Sequence, residues 1–67
     1  MLEHKDVLSF IDQTGYKTMS EIIEHFSSEN EEVLVMTLEF IVKKNLAKKI
    51  KMQTPKGPEQ LFFKPET

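Results

Sequence analysis

Cysteine and arginine are both absent from this chain of 67 residues. Without cysteine the protein has neither disulfides nor thiolate metal ligands, so packing alone must stabilise its core. The lack of cysteine is consistent with a reducing compartment. Without arginine the protein lacks the side chain that most often reads guanine through two hydrogen bonds.

Long apolar runs and glycine-rich segments are missing as well. No stretch reaches the ~18 apolar residues of a membrane-spanning helix, and the N-terminal segment MLEHKD lacks the basic start and apolar stretch of a signal peptide. We therefore expect a cytoplasmic protein without membrane insertion, built as one domain over residues 1–67. The two glycines form no phosphate-binding loop, and no small-molecule substrate is indicated.

The net charge of −2 conceals an asymmetry along the chain. Residues 1–42 contain two lysines and nine acidic residues, giving a net charge of −7, and residues 43–67 contain seven lysines and two glutamates, giving +5. Because electric fields act locally, a weakly acidic protein can still present a basic edge. A solvated surface with unevenly distributed charge explains the pattern equally well.

Three helices are predicted in the first two thirds of the chain. Apolar residues at helical spacing predict a first helix over residues 2–13, ended by Gly15. The capping-box pattern Thr18-Met19-Ser20-Glu21 predicts a short second helix from Met19 to Phe26. Ser28-Glu29-Asn30-Glu31 repeats the pattern and predicts a third, longest helix that runs to Asn45. Two such boxes ten residues apart are typical of a helix-turn-helix pair.

The hydrophobic pattern changes period after the third helix. Leu46–Met52 and Gln60–Lys64 alternate as strands do, and the prolines and glycine of Thr54–Glu59 predict a loop between them. Tyr16–Thr18 is a candidate third strand. The predicted fold is α+β, a winged helix with a three-helix helix-turn-helix core followed by a β-hairpin wing. A three-helix bundle with a disordered basic tail is disfavoured, because Leu61-Phe62-Phe63 is too apolar to be left in water.

Several positions carry a resemblance to a known family. They are the helix start at Met1, Gly15, Met19-Ser20-Glu21-Ile22, His25-Phe26, Val33 with Met36, and the helix end Lys43-Lys44-Asn45-Leu46. In these features the chain resembles the winged-helix superfamily and, in size and layout, ferrous iron transport protein C, a short accessory protein of bacterial ferrous-iron uptake. The resemblance implies transcription-factor-like DNA binding or attachment to the cytoplasmic part of the iron transporter. Many members carry a wing cysteine cluster thought to hold an iron–sulfur centre; this chain has no cysteine, so no cofactor is expected.

The third helix is apolar over most of its circumference, which leaves two orientations open. One core stripe consists of Val33, Met36, Thr37, Phe40 and Ile41, and the outward face is then apolar and suits a protein surface. If the core lies instead on the Leu34–Ile41 side, the outward face is acidic and repels phosphates. Burial of the helix on nearly all sides is a further alternative. Either orientation disfavours reading of the DNA major groove.

We accordingly predict a protein partner or self-association through the outer face of the third helix. The predicted interaction residues are Glu32, Val35, Leu38, Glu39 and Val42.

Lysines of the predicted wing support a second hypothesis, phosphate binding by a small DNA-binding transcriptional regulator. These are Lys48, Lys49, Lys51, Lys56 and Lys64. Lysine–phosphate contacts give affinity without sequence information. Lysines that protect an edge strand against aggregation are an equally good explanation. Phe62 and Phe63 suit base stacking, although aromatic residues in strands are more often part of the core.

Catalytic and metal-binding patterns are not found in the sequence. His4 and His25 are far apart and lack the spacing of a metal-ligand pair, and no serine lies in a nucleophile elbow. We predict a non-enzymatic module, with an enzyme as a remote third class.

Overall fold

The architecture is α+β, with helices first and most of the sheet last. The computed structural model describes residues 2–65, which form three helices and a three-stranded antiparallel sheet. The elements in chain order are α1 (His4–Asp12), β1 (Tyr16–Thr18), α2 (Met19–His25), α3 (Glu31–Lys43), β2 (Lys48–Thr54) and β3 (Gly57–Phe63). Within residues 2–65, none of the helices is long and apolar enough to cross a membrane.

The first two helices end and begin at the predicted signals. Gly15 has φ +86°, a value that suits glycine, and its N–H donates to the Ile11 carbonyl at 2.9 Å. At the start of α2 the capping box is confirmed: the Thr18 N–H donates to Glu21 Oε1 at 3.0 Å, and the Glu21 N–H donates to Thr18 Oγ1 at 3.2 Å. Both signals involve residues a few positions apart, so local chemistry is sufficient to set these boundaries.

The start of α3 differs from the prediction. Asn30, not Ser28, caps this helix, because Asn30 Oδ1 accepts hydrogen bonds from the N–H groups of Glu32 at 2.8 Å and Val33 at 3.4 Å. Ser28 lies in the turn that follows α2, so the predicted second capping box is wrong. Asparagine caps a helix as well as serine does. The residues before Asn30, including Ser28, form the turn between α2 and α3.

The end of α3 is a hydrogen-bonded C-terminal cap. Asn45 adopts φ +60°, and the Leu46 N–H donates to the Ile41 carbonyl at 2.8 Å. The Asn45 N–H donates to the Val42 carbonyl at 3.0 Å. These two bonds form a Schellman motif with asparagine in the left-handed position. At 13 residues α3 is the longest of the described helices, as predicted.

The hairpin is longer and tighter than the sequence predicts. Its last pair is Thr54 with Gly57, so only Pro55 and Lys56 form the turn. Thr54 Oγ1 donates to the Gly57 carbonyl at 2.7 Å, and Gly57 has φ +119°. Pro58, assigned to the loop in the sequence prediction, lies within β3. It is tolerated there because β1 covers only the far end of β3, so this half of the strand has a free edge.

The sheet has strand order β1-β3-β2, and one of its faces packs against the helices. In β3, Phe62 is buried and lies opposite Lys17 in β1 and Lys49 in β2, so these three side chains share the helix-facing side. The buried apolar residues are Leu2, Val7, Ile11, Ile22, Leu34, Leu38, Ile41, Ala47 and Phe62.

Helix α3 buries the second of the two predicted stripes. Leu34, Leu38 and Ile41 are almost fully buried, and α3 packs against α1. The stripe centred on Val33 and Phe40 is therefore the wrong core face; of its members, only Ile41 is buried. The predicted exposure of Leu38 is also wrong, since that side chain is 2% exposed.

Candidate protein-interaction surface

Apolar side chains remain exposed on the outward side of α3. Met36 is 67% exposed, Val33 44% and Phe40 43%. Their spacing of three and four residues places them on one face of the helix. Together with the N-terminal segment before and within α1, they line a depression of about 440 Å³, which we call the α3 groove. The groove is lined by Leu2, Glu3, His4, Lys5, Val33, Met36, Thr37 and Phe40.

Contacts between α1 and α3 hold the groove in shape. Leu2 is 9% exposed and belongs to the core, which fixes the segment that forms one wall. The His4 ring lies against Phe40 with centroids 5.5 Å apart, and Lys44 Nζ is 6.0 Å from the Phe40 ring centroid. Phe40 is therefore positioned by neighbours on two sides while nearly half of its surface stays accessible. Such a partly fixed aromatic residue is typical of an anchor at a protein interface.

Acidic residues of α3 lie outside the groove, beyond Met36. Glu31, Glu32 and Glu39 are exposed. A second depression of about 440 Å³, lined by Glu31, Glu32, Val35 and Met36, begins on the other side of Met36. The methionine thus separates an apolar groove from an acidic one. Methionine adapts its shape to a partner more readily than branched side chains do.

The structure divides the five predicted interaction residues into three groups. Glu32 and Glu39 are exposed, on the acidic outer face. Val35 and Val42 are half-buried and line a depression of about 270 Å³ between α3 and the sheet. Leu38 lies beneath them, between this depression and the core, and is only 2% exposed.

The sequence left open whether the exposed apolar residues of α3 belong to the core. Val33, Met36 and Phe40 belong to one of the two stripes that the sequence allowed as a core face, and the structure leaves them accessible. Both stripes contain large apolar residues, so helical periodicity alone held no signal that distinguishes them. The short N-terminal wall at Leu2 and His4 was not predicted to take part either.

The five hairpin lysines do not form a single surface. Lys48 lies opposite Phe63 on the face of the sheet that points away from the helices, whereas Lys49 and Lys51 share the face of Phe62. Lys56 lies in the turn, and Lys64 Nζ is 3.4 Å from Asp12 Oδ1. The positive charge is therefore distributed over both faces and the tip of the hairpin.

The two phenylalanines near the C-terminus differ in accessibility. Phe62 is 2% exposed in the core, and base stacking there would require opening the fold. Phe63 is half-buried on the opposite face. For Phe62, the structure thus agrees with the expectation that a strand aromatic belongs to the core and does not stack on bases.

The histidines lie in aromatic environments. His25 stacks on Phe10 with centroids 3.9 Å apart and rings inclined by 11°, and it meets the edge of Phe26 at 4.7 Å. The ammonium group of Lys17, on the strand beside them, lies 4.7 Å from the Phe10 ring and donates to Thr14 Oγ1 at 2.8 Å. No three His, Cys, Asp or Glu side chains among residues 2–65 are grouped so that they could hold a metal ion.

No protein-family model matches the chain, and comparisons with curated proteins and with solved structures gave no match either. What the structure defines is a small α+β domain with three helices, a three-stranded antiparallel sheet, and an apolar groove beside an acidic helix face.

Proposed function

We propose that the chain is a non-enzymatic winged-helix module that binds another protein through the α3 groove. Support for the winged-helix class comes from the element order and from a hairpin that packs on the helices through Phe62. The single observation that carries the binding proposal is the exposure of Met36, Val33 and Phe40 on one face of α3. The resemblance to ferrous iron transport protein C suggests an accessory role in ferrous-iron uptake.

The groove suits a transient partner. Fully burying a valine, methionine or phenylalanine side chain contributes about 1.5–3 kcal/mol, and these three are already roughly half covered. Completing their burial therefore contributes on the order of 2–5 kcal/mol, near the lower end of the cost of association. Polar contacts around the rim must supply the remaining affinity.

The rim determines the chemistry of the partner. Glu32 and Glu39 lie about one helical turn before and after Met36, outside the groove lining. On the opposite side, Lys5 lines the groove and Lys44 Nζ lies 6.0 Å from the Phe40 ring centroid. A partner segment with apolar residues at helical spacing and lysine or arginine on the side that meets Met36 matches this arrangement. An amphipathic basic helix is therefore the kind of ligand that we expect.

DNA binding by α3 is disfavoured by the same residues. In a DNA-binding winged helix, this helix approaches phosphates with its N-terminal turn, where Glu31 and Glu32 would repel them. The hairpin lysines remain a possible phosphate-binding set, but they lie on two faces of the sheet. A DNA-binding regulator is thus the alternative outcome of the experiment below.

The experiment is an NMR titration of the isotope-labelled chain with two probes. One is an amphipathic helical peptide with lysines flanking its apolar face, and the other is a nonspecific DNA duplex at low salt. We expect the peptide to shift the resonances of Val33, Met36 and Phe40. Met36→Asp should weaken peptide binding by roughly tenfold, because it puts a charge in the centre of the contact.

The matched control is Ile50→Asp, which changes another exposed apolar residue on the far side of the sheet. It should leave peptide binding within about twofold of the unmodified chain, since Ile50 lies outside the groove. Shifts confined to the hairpin lysines, seen with duplex and lost with added salt, would instead identify the DNA-binding alternative.

A further inference from the structure

The outer edge of β2 has no partner strand among residues 2–65. The sheet order is β1-β3-β2, so β2 pairs with β3 on one side only. The strand is seven residues long, and residues 48–51 are all exposed. An edge of this length presents a row of backbone N–H and C=O groups to which another extended chain can add.

Lysine occupies three of the first four positions of this edge. Lys49 and Lys51 lie on the helix-facing side of the sheet, and Lys48 lies with Ile50 on the other side. Alternate residues of a strand are about 6.6 Å apart, which is also the spacing in any strand added alongside. Carboxylates at every second residue of an added chain would therefore meet Lys49 and Lys51 as cross-strand pairs.

The opposite face of the edge carries the apolar residue Ile50 next to Lys48. Ile50 is 49% exposed and lies opposite Leu61, and the neighbouring residues Tyr16 and Phe63 share its face. An added strand would place its remaining side chains beside Ile50, where apolar residues gain contact. The edge therefore matches a chain in which acidic and apolar residues alternate.

We propose that the outer edge of β2 binds an extended acidic segment of a partner protein by strand addition. Backbone hydrogen bonds supply affinity, and the lysines select carboxylates at alternate positions. The surface is separate from the α3 groove, so one chain can engage two partner segments, a helix in the groove and an acidic strand at the sheet edge.

Charge distinguishes this ligand from a second copy of the chain. Antiparallel pairing of β2 with β2 of another copy, in registers centred on any of residues 48–51, would set lysine opposite lysine, which is destabilising. An added strand without acidic residues would give the lysine ammonium groups of β2 no negatively charged partners. The lysines that protect the edge against indiscriminate pairing thus favour an acidic chain, because specificity combines attraction with repulsion.

The arrangement also favours a peptide over a nucleic acid. Lys48 points to one face of the sheet, and Lys49 and Lys51 point to the other, so a phosphate backbone lying on either face meets only some of them. A strand added in the plane of the sheet can pair its carboxylates with Lys49 and Lys51 and also form backbone hydrogen bonds with the edge, which a phosphate backbone cannot do in this way.

The test is titration of the isotope-labelled full chain with a capped eight-residue peptide of alternating glutamate and valine. We expect shifts at residues 48–54 and slower hydrogen exchange of the β2 amides. Lys49→Glu and Lys51→Glu, the two substitutions on the face that meets the glutamates, should each weaken binding, together by about tenfold. The matched control Lys56→Glu makes the same charge change in the hairpin turn and should weaken binding by less than about threefold.

Two further peptides separate strand addition from simple charge attraction. A version N-methylated at its four central residues keeps every charge but cannot donate backbone hydrogen bonds there, so it should not bind. A lysine–valine version should not bind either. Equal binding of either variant, binding of the original peptide elsewhere on the protein, or no binding at millimolar concentration would overturn the proposal. So would preferential binding of a DNA duplex at residues 48–51.

Discussion

Substitution of Leu38 by alanine tests the orientation of α3 directly. Leu38 is 2% exposed and belongs to the core cluster with Leu34 and Ile41. If α3 faces the core in this way, the substitution removes buried apolar volume that its neighbours cannot refill. If α3 were turned to expose Leu38, the same change would have almost no effect on stability.

The expected loss is large relative to the stability of so small a domain. Replacing a buried leucine by alanine costs about 2–5 kcal/mol, including the cavity that remains. A domain of this length rarely has more than about 3–5 kcal/mol in total. We therefore expect Leu38→Ala to be partly or largely unfolded at 25 °C, with a midpoint of thermal unfolding lower by at least about 8 °C.

The measurement is urea and thermal unfolding followed by far-ultraviolet circular dichroism. The matched control is Met36→Ala on the same helix; because Met36 is 67% exposed, its free energy of unfolding should change by no more than about 0.5 kcal/mol. Retention of full stability by Leu38→Ala, with loss of stability in Met36→Ala, would refute the assigned orientation of α3 and with it the α3 groove.

Two further predictions concern the starts of the helices. Asn30→Ala should lower the free energy of unfolding by about 1 kcal/mol in urea denaturation, whereas Ser28→Ala should have little effect; the reverse order would restore Ser28 as the cap of α3. The Thr18 N–H donates to the Glu21 carboxylate and is the main cause of the lowered pKa of Glu21. Burial partly opposes it, and the Thr18 hydroxyl and nearby Lys17 lower the pKa further. The pKa of Glu21 is lower in the folded protein than in the unfolded one, so ionised Glu21 stabilises the fold. This stabilisation is fully present above the unfolded pKa and is lost as the pH falls through the folded pKa. In Glu21→Gln, the free energy of unfolding should change less with pH over this range. An unchanged slope of unfolding free energy against pH would count against the capping role of Glu21.

Local signals account for the boundaries that the sequence predicts correctly. The Thr18–Glu21 box and the Gly15 turn depend on atoms within a few residues of one another, so their chemistry is the same in the sequence and in the fold. The hairpin turn was predicted less well. The two prolines near Gly57 favoured a long loop, but the free edge of β3 allows Pro58 to continue the strand.

By itself the sequence determined the order of the elements, the caps at Gly15 and Thr18, and the segregation of acidic residues before basic ones. Only the tertiary structure decided which face of α3 is buried. Large apolar residues cover most of the circumference of this helix, so its periodicity is compatible with more than one core face. Packing against α1 buries Leu34 and Leu38 and leaves Met36 and Phe40 exposed, because burial depends on which elements meet in space.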